Sequence, residues 1–332
     1  MRRITRRTFL GAVGAGATAL GTLPGSDVAP AVAQVTKRLS IATGGTGGVY
    51  YPVGGGIAAL ISKYAPGVEA TAEATAASAD NLKLLHAGQV ALGLTGADIA
   101  AEAARGQLKG LPQKVAVRTI ASIYANFMHI VTLEGTEIRS VPDLKGKRVS
   151  MGAPGSGTEI KGLRILDTYG LTPKDLRSHD RLSVVESVGA IKDQKIDAFF
   201  WNSAVPTGAI LDLAATPGLR MRLVPHAEIV PKLVQKHGAF YFAGVIPRGA
   251  YKGIDTDVPV AAETHALVAH ERMEEALAYQ ITKILLEHTP ELVAVHSAAK
   301  ELTPTGAVQG SAVPFHPGAI RYYRERGIGV PA

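Results

Sequence analysis

Apolar residues recur along the chain in two patterns, short strand-like runs and longer stretches with helical spacing. The run at 39–42 predicts a strand, and Ile57, Leu60, Ile61 and Tyr64 fall on one face of a helix that follows it. The same patterns predict strands at 90–96, 118–124, 147–152 and in the segments KIDAFFWNS, LRMRLVP and AFYFAGVIP, and helices at 78–88, 159–169 and 271–288. This alternation favours an α/β fold with parallel-type sheets and helices on both faces.

Two of the predicted strand-to-helix connections are rich in glycine. The first reads ATGGTGGVYYPVGGG at 42–56, and the second reads GAPGSGT at 152–158. Glycine accumulates where something approaches the main chain closely, and in such sheets ligands collect at the carboxyl ends of the strands. Similar loops in the two halves of the chain therefore predict two similar lobes, with both loops on one cleft.

The two loops do not match nucleotide-binding or catalytic motifs. Tyr50 occupies the third glycine position of G-x-G-x-x-G, and neither loop is followed by the Lys-Ser or Lys-Thr pair of a Walker loop. Ser156 lacks the flanking glycines of a nucleophile elbow, and Glu274 stands where H-E-x-x-H needs its second histidine. The sequence therefore predicts no catalytic residues, no cofactor and no enzymatic activity.

Anion binding by the main chain needs less than these motifs do. A loop that enters a helix offers unpaired N–H groups and the positive end of the helix dipole, which together hold a carboxylate or a phosphate. Hydroxyl groups in the loops add donors, and two tyrosines can wall the site. Turn and N-cap chemistry is the alternative for each loop, since Thr158 is a good cap. The predicted ligand contacts in the loops are Thr46, Gly47, Gly48, Tyr50, Tyr51, Gly155, Ser156, Gly157 and Thr158.

Three further residues are candidates for ligand contact. Trp201, the single tryptophan of the chain, and Asn202 lie at the end of a predicted strand, where a cleft is expected. A core or hinge position is the alternative for the Trp201 ring. Ser78 stands at the start of a predicted helix, where it either contacts a ligand or only caps the helix.

Composition limits the classes of partner. The chain has 332 residues, 46% of them apolar, which fits two ordinary domains. Its formal charge of +7 is scattered, without the basic and aromatic interleaving of a nucleic-acid groove, so no nucleic acid is predicted. There is no cysteine, and the ten histidines show no metal-ligand spacing, so no metal site is predicted. The lack of a coiled-coil pattern favours a monomer.

The first 33 residues have the order of an export signal. Arg6 and Arg7 precede Phe9 and Leu10, a mild apolar stretch follows, and small residues end it at Ala33. This core is similar to the twin-arginine signal. Glycines thin the apolar stretch, so a transmembrane anchor is the less favoured alternative. We expect cleavage after Ala33 and a periplasmic protein.

Several segments together resemble the TAXI family, the extracytoplasmic solute receptors of TRAP transporters. The resemblance implies a type II periplasmic binding protein, with one lobe at 34–130 plus 246–332, the other at 131–245, and a hinge between them. The segments stand in the family's order across the mature chain, and they read IATGGTGGVYYPVGGGIAALI, ASADNLKLLHAGQVALGLTGADIA, SVPDLKGKRVSMGAPGSGTEIKGLRIL, KIDAFFWNSAVPTGAIL and HPGAIRYYRERG.

The resemblance also implies a ligand and a partner. The GTGGVYYP and GSGT segments would line the cleft, the ligand would be a small organic acid such as a glutamate-like amino acid or a dicarboxylate, and a TRAP-type membrane permease would receive it. The chain departs from the family at 95–98 and 201–203, both beside the expected cleft, and this affects the exact ligand. A sensory binding protein that presents its ligand to a membrane sensor, and a secreted carboxylate-acting enzyme, are the alternatives.

Overall fold

The computed structural model describes residues 36–331, and in this range the chain forms a mixed α/β fold around one sheet of ten strands. The predicted export signal lies outside the described residues. Within the described range, no helix combines the length and the apolar character needed to cross a membrane. The α/β class predicted from the alternation of strands and helices is confirmed.

Strands and helices follow one another along the chain. The strands are β1 Lys37–Ala42, β2 Val68–Glu73, β3 Leu92–Gly96, β4 Val117–Leu133, β5 Arg148–Ser150, β6 Ser178–Asp180, β7 Ala198–Ser203, β8 Met221–Leu223, β9 Tyr241–Ile246 and β10 Val258–His270. The helices are α1 Tyr50–Tyr64, α2 Ser78–His86, α3 Ala97–Arg105, α4 Gly157–Thr168, α5 Val184–Lys192, α6 Gly208–Ala215, α7 Val230–His237, α8 Glu275–Glu287, α9 Thr289–Val295 and α10 Pro317–Glu325.

The sheet is parallel towards both ends and antiparallel in the middle. Its order is β2-β1-β3-β10-β4-β7-β5-β6, with β8 beside β4 and β9 beside β10. β1 pairs in parallel with β2 and β3, and β5 pairs in parallel with β6 and β7. The pairs made by β4 and β10 are antiparallel. The parallel sheets predicted from the sequence are therefore the two outer parts, and two long antiparallel strands connect them.

β4 and β10 run through both parts of the sheet. β4 has 17 residues, and it pairs with β10 through its first half and with β7 and β8 through its second half. β10 has 13 residues, and it pairs with β9 first and with β3 afterwards. The sequence patterns predict no strand at β10, because this strand is buried on both faces and lacks the alternation of a half-buried strand.

Apolar side chains cover both faces of each outer part. Leu267 of β10 packs in a cluster with α1, α8 and α10, whereas its neighbour Ala266 packs with α2 and α3. In the other part, Phe200 packs with α4 and α7, and Phe199 packs with α5 and α6. Neighbouring residues of a strand point to opposite faces, so helices lie on both faces of the sheet.

Candidate functional site

A cavity of about 70 Å³ lies where the loops after β1 and β5 meet the end of β7. Its walls come from both outer parts of the sheet, and its floor includes Asn126 of β4 and His265 of β10. The position matches the carboxyl ends of parallel strands, where α/β folds bind ligands. The lining residues are Gly44, Gly45, Gly48, Val49, Tyr50, Thr75, Ala76, Ala77, Ser78, Asn126, Ala153, Ser156, Gly157, Thr158, Ser183, Val184, Trp201, Asn202, Ser203 and His265.

Four helices begin at this cavity. α1 begins at Tyr50, α2 at Ser78, α4 at Gly157 and α5 at Val184, and all four residues are part of the lining. The first turn of a helix has N–H groups without an intrahelical acceptor and carries the positive end of the helix dipole. Four such ends direct N–H groups and positive dipole ends at one cavity that has no cationic side chain in its lining, and this arrangement suits an anion.

The four helix starts differ in how their N–H groups are satisfied. The side chains of Ser156 and Ser183 cap α4 and α5, each accepting a hydrogen bond from the N–H three residues on, at 3.1 and 3.3 Å. α1 and α2 have no side-chain cap, because Val49 and Ala77 occupy the capping positions. Ala77 has a φ of 79°, an uncommon conformation for a residue other than glycine. The starts of α1 and α2 therefore keep more N–H groups for a ligand.

Eight of the twelve residues predicted to contact a ligand line the cavity, and four do not. Thr46 and Tyr51 are exposed. Gly47 accepts a hydrogen bond through its carbonyl from a main-chain N–H of α6 at 3.2 Å, and Gly155 donates one to the Glu159 carboxylate at 2.9 Å. The eight that lie in the lining are Gly48, Tyr50, Ser78, Ser156, Gly157, Thr158, Trp201 and Asn202.

The hydroxyl groups of the second glycine loop already serve the fold as acceptors. Thr158 Oγ1 accepts a hydrogen bond from the main-chain N–H of Asn202 at 3.1 Å, which ties the start of α4 to the end of β7. Ser156 Oγ accepts from the main chain as the cap of α4. Each hydroxyl keeps its proton for donation. Ser156 is therefore the cap of α4 and Thr158 is not, and each hydroxyl can still contact a ligand.

The two sides of the cavity touch each other through glycine. A Cβ at position 48 would lie 2.8 Å from Trp201 Cζ2, so only glycine lets the first loop pack against this ring. A Cβ at position 157 would lie 2.9 Å from Ser78 Oγ and 3.0 Å from Lys161 Nζ. The contacts of Gly48 with Trp201 and of Gly157 with Ser78 join residues from the two outer parts of the sheet. The cleft is therefore closed around the cavity.

His265 of β10 forms the polar floor of the cavity. Its Nε2 lies 2.6 Å from Glu263 Oε1 and 3.3 Å from Asn202 Nδ2, and its Nδ1 lies within hydrogen-bonding range of the Tyr50 hydroxyl and 3.2 Å from Asn126 Nδ2. Nε2–H donates to the carboxylate, and Nδ1 accepts. Burial lowers the pKa of His265, against the opposing effect of Glu263, so the ring is neutral.

A cluster of buried ion pairs lies behind His265. Lys161 Nζ is 2.7 Å from Glu263 Oε1 and 3.4 Å from Asp98 Oδ1, and Arg164 Nη1 is 2.6 Å from Asp98 Oδ2. The Tyr241 hydroxyl donates to Asp98 Oδ2 at 2.6 Å. Burial alone would raise the pKa of Asp98, but Lys161 and Arg164 outweigh it and hold that pKa well below its usual range. The cluster joins α3 to α4 across the two parts of the sheet.

The described residues contain no group of three or more histidine, aspartate or glutamate side chains placed to hold a metal ion. The chemistry of the site is that of hydrogen-bond donors, a neutral imidazole and an aromatic wall.

A model of the NMT1-like family matches residues 41–327. The chain belongs to the NMT1-like family.

Solved structures that are similar to this NMT1-like protein share little sequence with it. A protein of Bordetella bronchiseptica RB50 is 17% identical with a TM-score of 0.53, covering 86% of this chain and 88% of its own. PhnD1 from Prochlorococcus marinus, in complex with methylphosphonate, is 12% identical with a TM-score of 0.50, and the match covers 79% of this chain and 90% of PhnD1. The alkanesulfonate-binding protein SsuA from Xanthomonas axonopodis pv. citri, bound to MOPS, is 17% identical with a TM-score of 0.45, and the match covers 87% of this chain and 90% of SsuA.

Sequence reasoning missed several polar residues of the site in this NMT1-like protein. Asn126, His265 and Glu263 lie within the long central strands, and Lys161 lies inside α4, so no loop or turn signal marks them. Polar residues inside otherwise apolar strands were the available signal, because a buried polar group needs a partner. Their partners come from distant parts of the chain, so one sequence does not reveal them.

Proposed function

We propose that this protein is a non-enzymatic periplasmic receptor that binds a small carboxylate in the cavity at the four helix starts. The convergence of these helix starts, from both parts of the sheet, is the observation that carries the proposal. An anion bound there accepts hydrogen bonds from main-chain N–H groups that otherwise lack acceptors. The family match and the fold support a binding role.

The two parts of the sheet act as lobes in this proposal. The first consists of 34–130 plus 246–332 and the second of 131–245, with β4 and β10 as the hinge. Val258 and Val260 at the start of β10 pack with the core of the second part, so this proposal moves the boundary between the lobes from 246 to a point in β10 beyond Val260. Closure follows if the ligand binds the closed form better than the open form.

The membrane partner in this proposal is a TRAP-type permease, which rests on the resemblance to the TAXI family. Reconstitution of the receptor with its membrane subunits tests the partner. Receptor-dependent uptake driven by a sodium gradient supports it, and uptake that requires ATP hydrolysis rejects it. A sensor kinase or chemoreceptor that responds to the loaded receptor, with no uptake, would support the sensory alternative.

Ligand binding tests the central claim. The mature chain is screened by thermal unfolding against small carboxylates and amino acids, since a ligand at 100 times its Kd adds about 2.7 kcal/mol of stability. Calorimetry then compares Ser78→Ala, which removes a buried hydroxyl of the lining, with Thr46→Ala, which lies in the first glycine loop outside the lining.

We expect Ser78→Ala to weaken binding about tenfold, in line with the loss of one hydrogen bond to a charged group of about 1.5 kcal/mol. We expect Thr46→Ala to bind like the wild type. Equal affinity in both variants, or no binding by any carboxylate, contradicts the proposal. Chemical conversion of a bound carboxylate would contradict the non-enzymatic role.

A further inference from the structure

The lining of the cavity carries no cation. Among its residues, all of them in the described part of the chain, there is no lysine, arginine, aspartate or glutamate. The one imidazole, His265, is neutral because burial lowers its pKa. A bound anion therefore meets main-chain N–H groups, hydroxyls and helix dipoles. Such groups can hold one carboxylate, as helix starts do elsewhere.

The nearest cations are already engaged by carboxylates. Lys161 Nζ lies beneath the start of α4, where a Cβ at position 157 would be 3.0 Å away, but it contacts Glu263 at 2.7 Å and Asp98 at 3.4 Å. Arg164 contacts Asp98 at 2.6 Å and Glu102 at 2.5 Å. Two cations thus face three carboxylates, and the cluster offers no surplus positive charge to a ligand.

Two buried acceptors near the cavity have no donor. Asn126 Oδ1 and Glu263 Oε2 make no hydrogen bond with any described residue. Asn126 lines the cavity and is 2% exposed, while its Nδ2 faces His265 Nδ1 at 3.2 Å. A buried acceptor without a donor costs about 1–3 kcal/mol. A ligand that brings a donor to Asn126 removes this cost, and a second carboxylate does not.

We infer that the site selects a carboxylate that carries a single negative charge and a hydrogen-bond-donating amide or ammonium group, and that it discriminates against dicarboxylates. This inference rests on the proposed function and narrows the ligand classes expected from the sequence. A second carboxylate would be buried without a cation in the lining, would face the acceptor oxygen of Asn126, and would lie close to the negative charge of Glu263 behind His265. Burying an unpaired charge costs more than any hydrogen bond in the site returns.

Matched acid and amide pairs test the inference, because each pair differs in charge and donor capacity at nearly constant shape. Calorimetry at pH 7.5 compares succinamate with succinate, malonamate with malonate, glutamine with glutamate, and asparagine with aspartate. We expect the amide member of the best-binding pair to bind at least tenfold more tightly. Equal or tighter binding of the diacid overturns the inference, and so does the absence of binding by every member.

The proposed function is judged separately, on a panel of carboxylates without a donor group, such as propionate and pyruvate. Binding from that panel with none from the matched pairs keeps the proposed function and rejects the inference. No binding from either set rejects both.

Two variants test the cause of the discrimination. Glu263→Gln removes one negative charge behind the floor, and we expect the preference for the amide to shrink at least threefold. Asn126→Asp adds a negative charge to the lining itself, and we expect the diacids to lose at least a further tenfold. Circular dichroism checks folding, and the Asn126→Asp result stands if Glu263→Gln does not fold. An unchanged preference in the folded variants overturns the inference, with Thr46→Ala as the matched control.

Discussion

Replacing Asp98 by asparagine tests how much the buried ion cluster stabilises the closed molecule. The Asp98 carboxylate is 1% exposed and accepts from Arg164 and from the Tyr241 hydroxyl, both at 2.6 Å, with Lys161 Nζ at 3.4 Å. Asparagine has nearly the same shape, so packing is kept while the charge is lost. Two cations then face fewer carboxylates in a site that excludes water.

The expected cost follows from this burial. Removing one partner of a buried ion pair costs about 3–5 kcal/mol, because the other charge is left uncompensated. Both short hydrogen bonds are donated to Oδ2, and an asparagine oxygen in that position still accepts both, which places the expected loss at the lower end, about 3 kcal/mol. The exposed pair of Asp167 with Lys236, 2.7 Å apart, gives the matched control. We expect Asp167→Asn to change stability by less than about 0.5 kcal/mol.

The pH dependence gives a second readout of the same variant. The pKa of Asp98 is held well below its usual range in the folded chain, against about 3.9 when unfolded. Its contribution is therefore complete above about pH 4 and is lost as the pH falls further, because the unfolded chain then binds the proton first. The difference between wild type and Asp98→Asn should be constant from pH 5 to 8 and shrink below pH 4.

Urea unfolding followed by circular dichroism measures both quantities. A loss below about 1 kcal/mol at pH 7 would show that the cluster contributes little to stability. A difference that stays the same at pH 3 would show that the loss arises from packing rather than from charge. Either result refutes the reasoning.

Two further predictions concern the cavity wall and the buried histidines. Gly48→Ala brings a Cβ to within 2.8 Å of Trp201, so we expect altered tryptophan emission and at least tenfold weaker ligand binding. Gly55→Ala has open space at its Cβ and should match the wild type in emission and in binding. Equal behaviour of the two variants contradicts the contact between Gly48 and Trp201. Burial lowers the pKa of His129 and of His226 to about 4, so between about pH 6.5 and 4 the unfolded chain binds protons that the folded chain does not. The free energy of unfolding should therefore fall over this range, by up to about 1.4 kcal/mol per pH unit for each histidine. A flat pH profile in urea unfolding contradicts this prediction.

The sequence predicted the elements whose signal is local. The strand before the first glycine loop and the helices at 159–169 and 271–288 agree with β1, α4 and α8 to within a few residues. β10 was missed because its residues are mostly small and apolar, with Glu263 and His265 interrupting the run. A strand buried on both faces has no period of two, so only its neighbours in the sheet define it.

The candidate site also contains residues that the local sequence predicts and residues that it does not. The glycine loops and the residues at the helix starts were predictable, because helix entry and close approach leave a mark in the local sequence. The floor was not, since Asn126, Glu263 and His265 come from two strands that meet only in the folded sheet. The antiparallel register pairs Asn126 directly with Glu263, a relation over more than a hundred residues that one sequence does not encode visibly.

Glu263 connects the floor of the cavity with the buried ion cluster. Through His265 and Asn202 it belongs to the floor of the cavity, and through Lys161 it belongs to the ion cluster that joins α3 to α4. The cluster contacts join residues of the two parts of the sheet, so in the closed form that we propose Lys161 is paired with protein carboxylates. A ligand with a second carboxylate would add a negative charge beside a cluster in which three carboxylates already face two cations. Selection of a singly charged ligand and stability of the closed form are therefore two consequences of one charge balance.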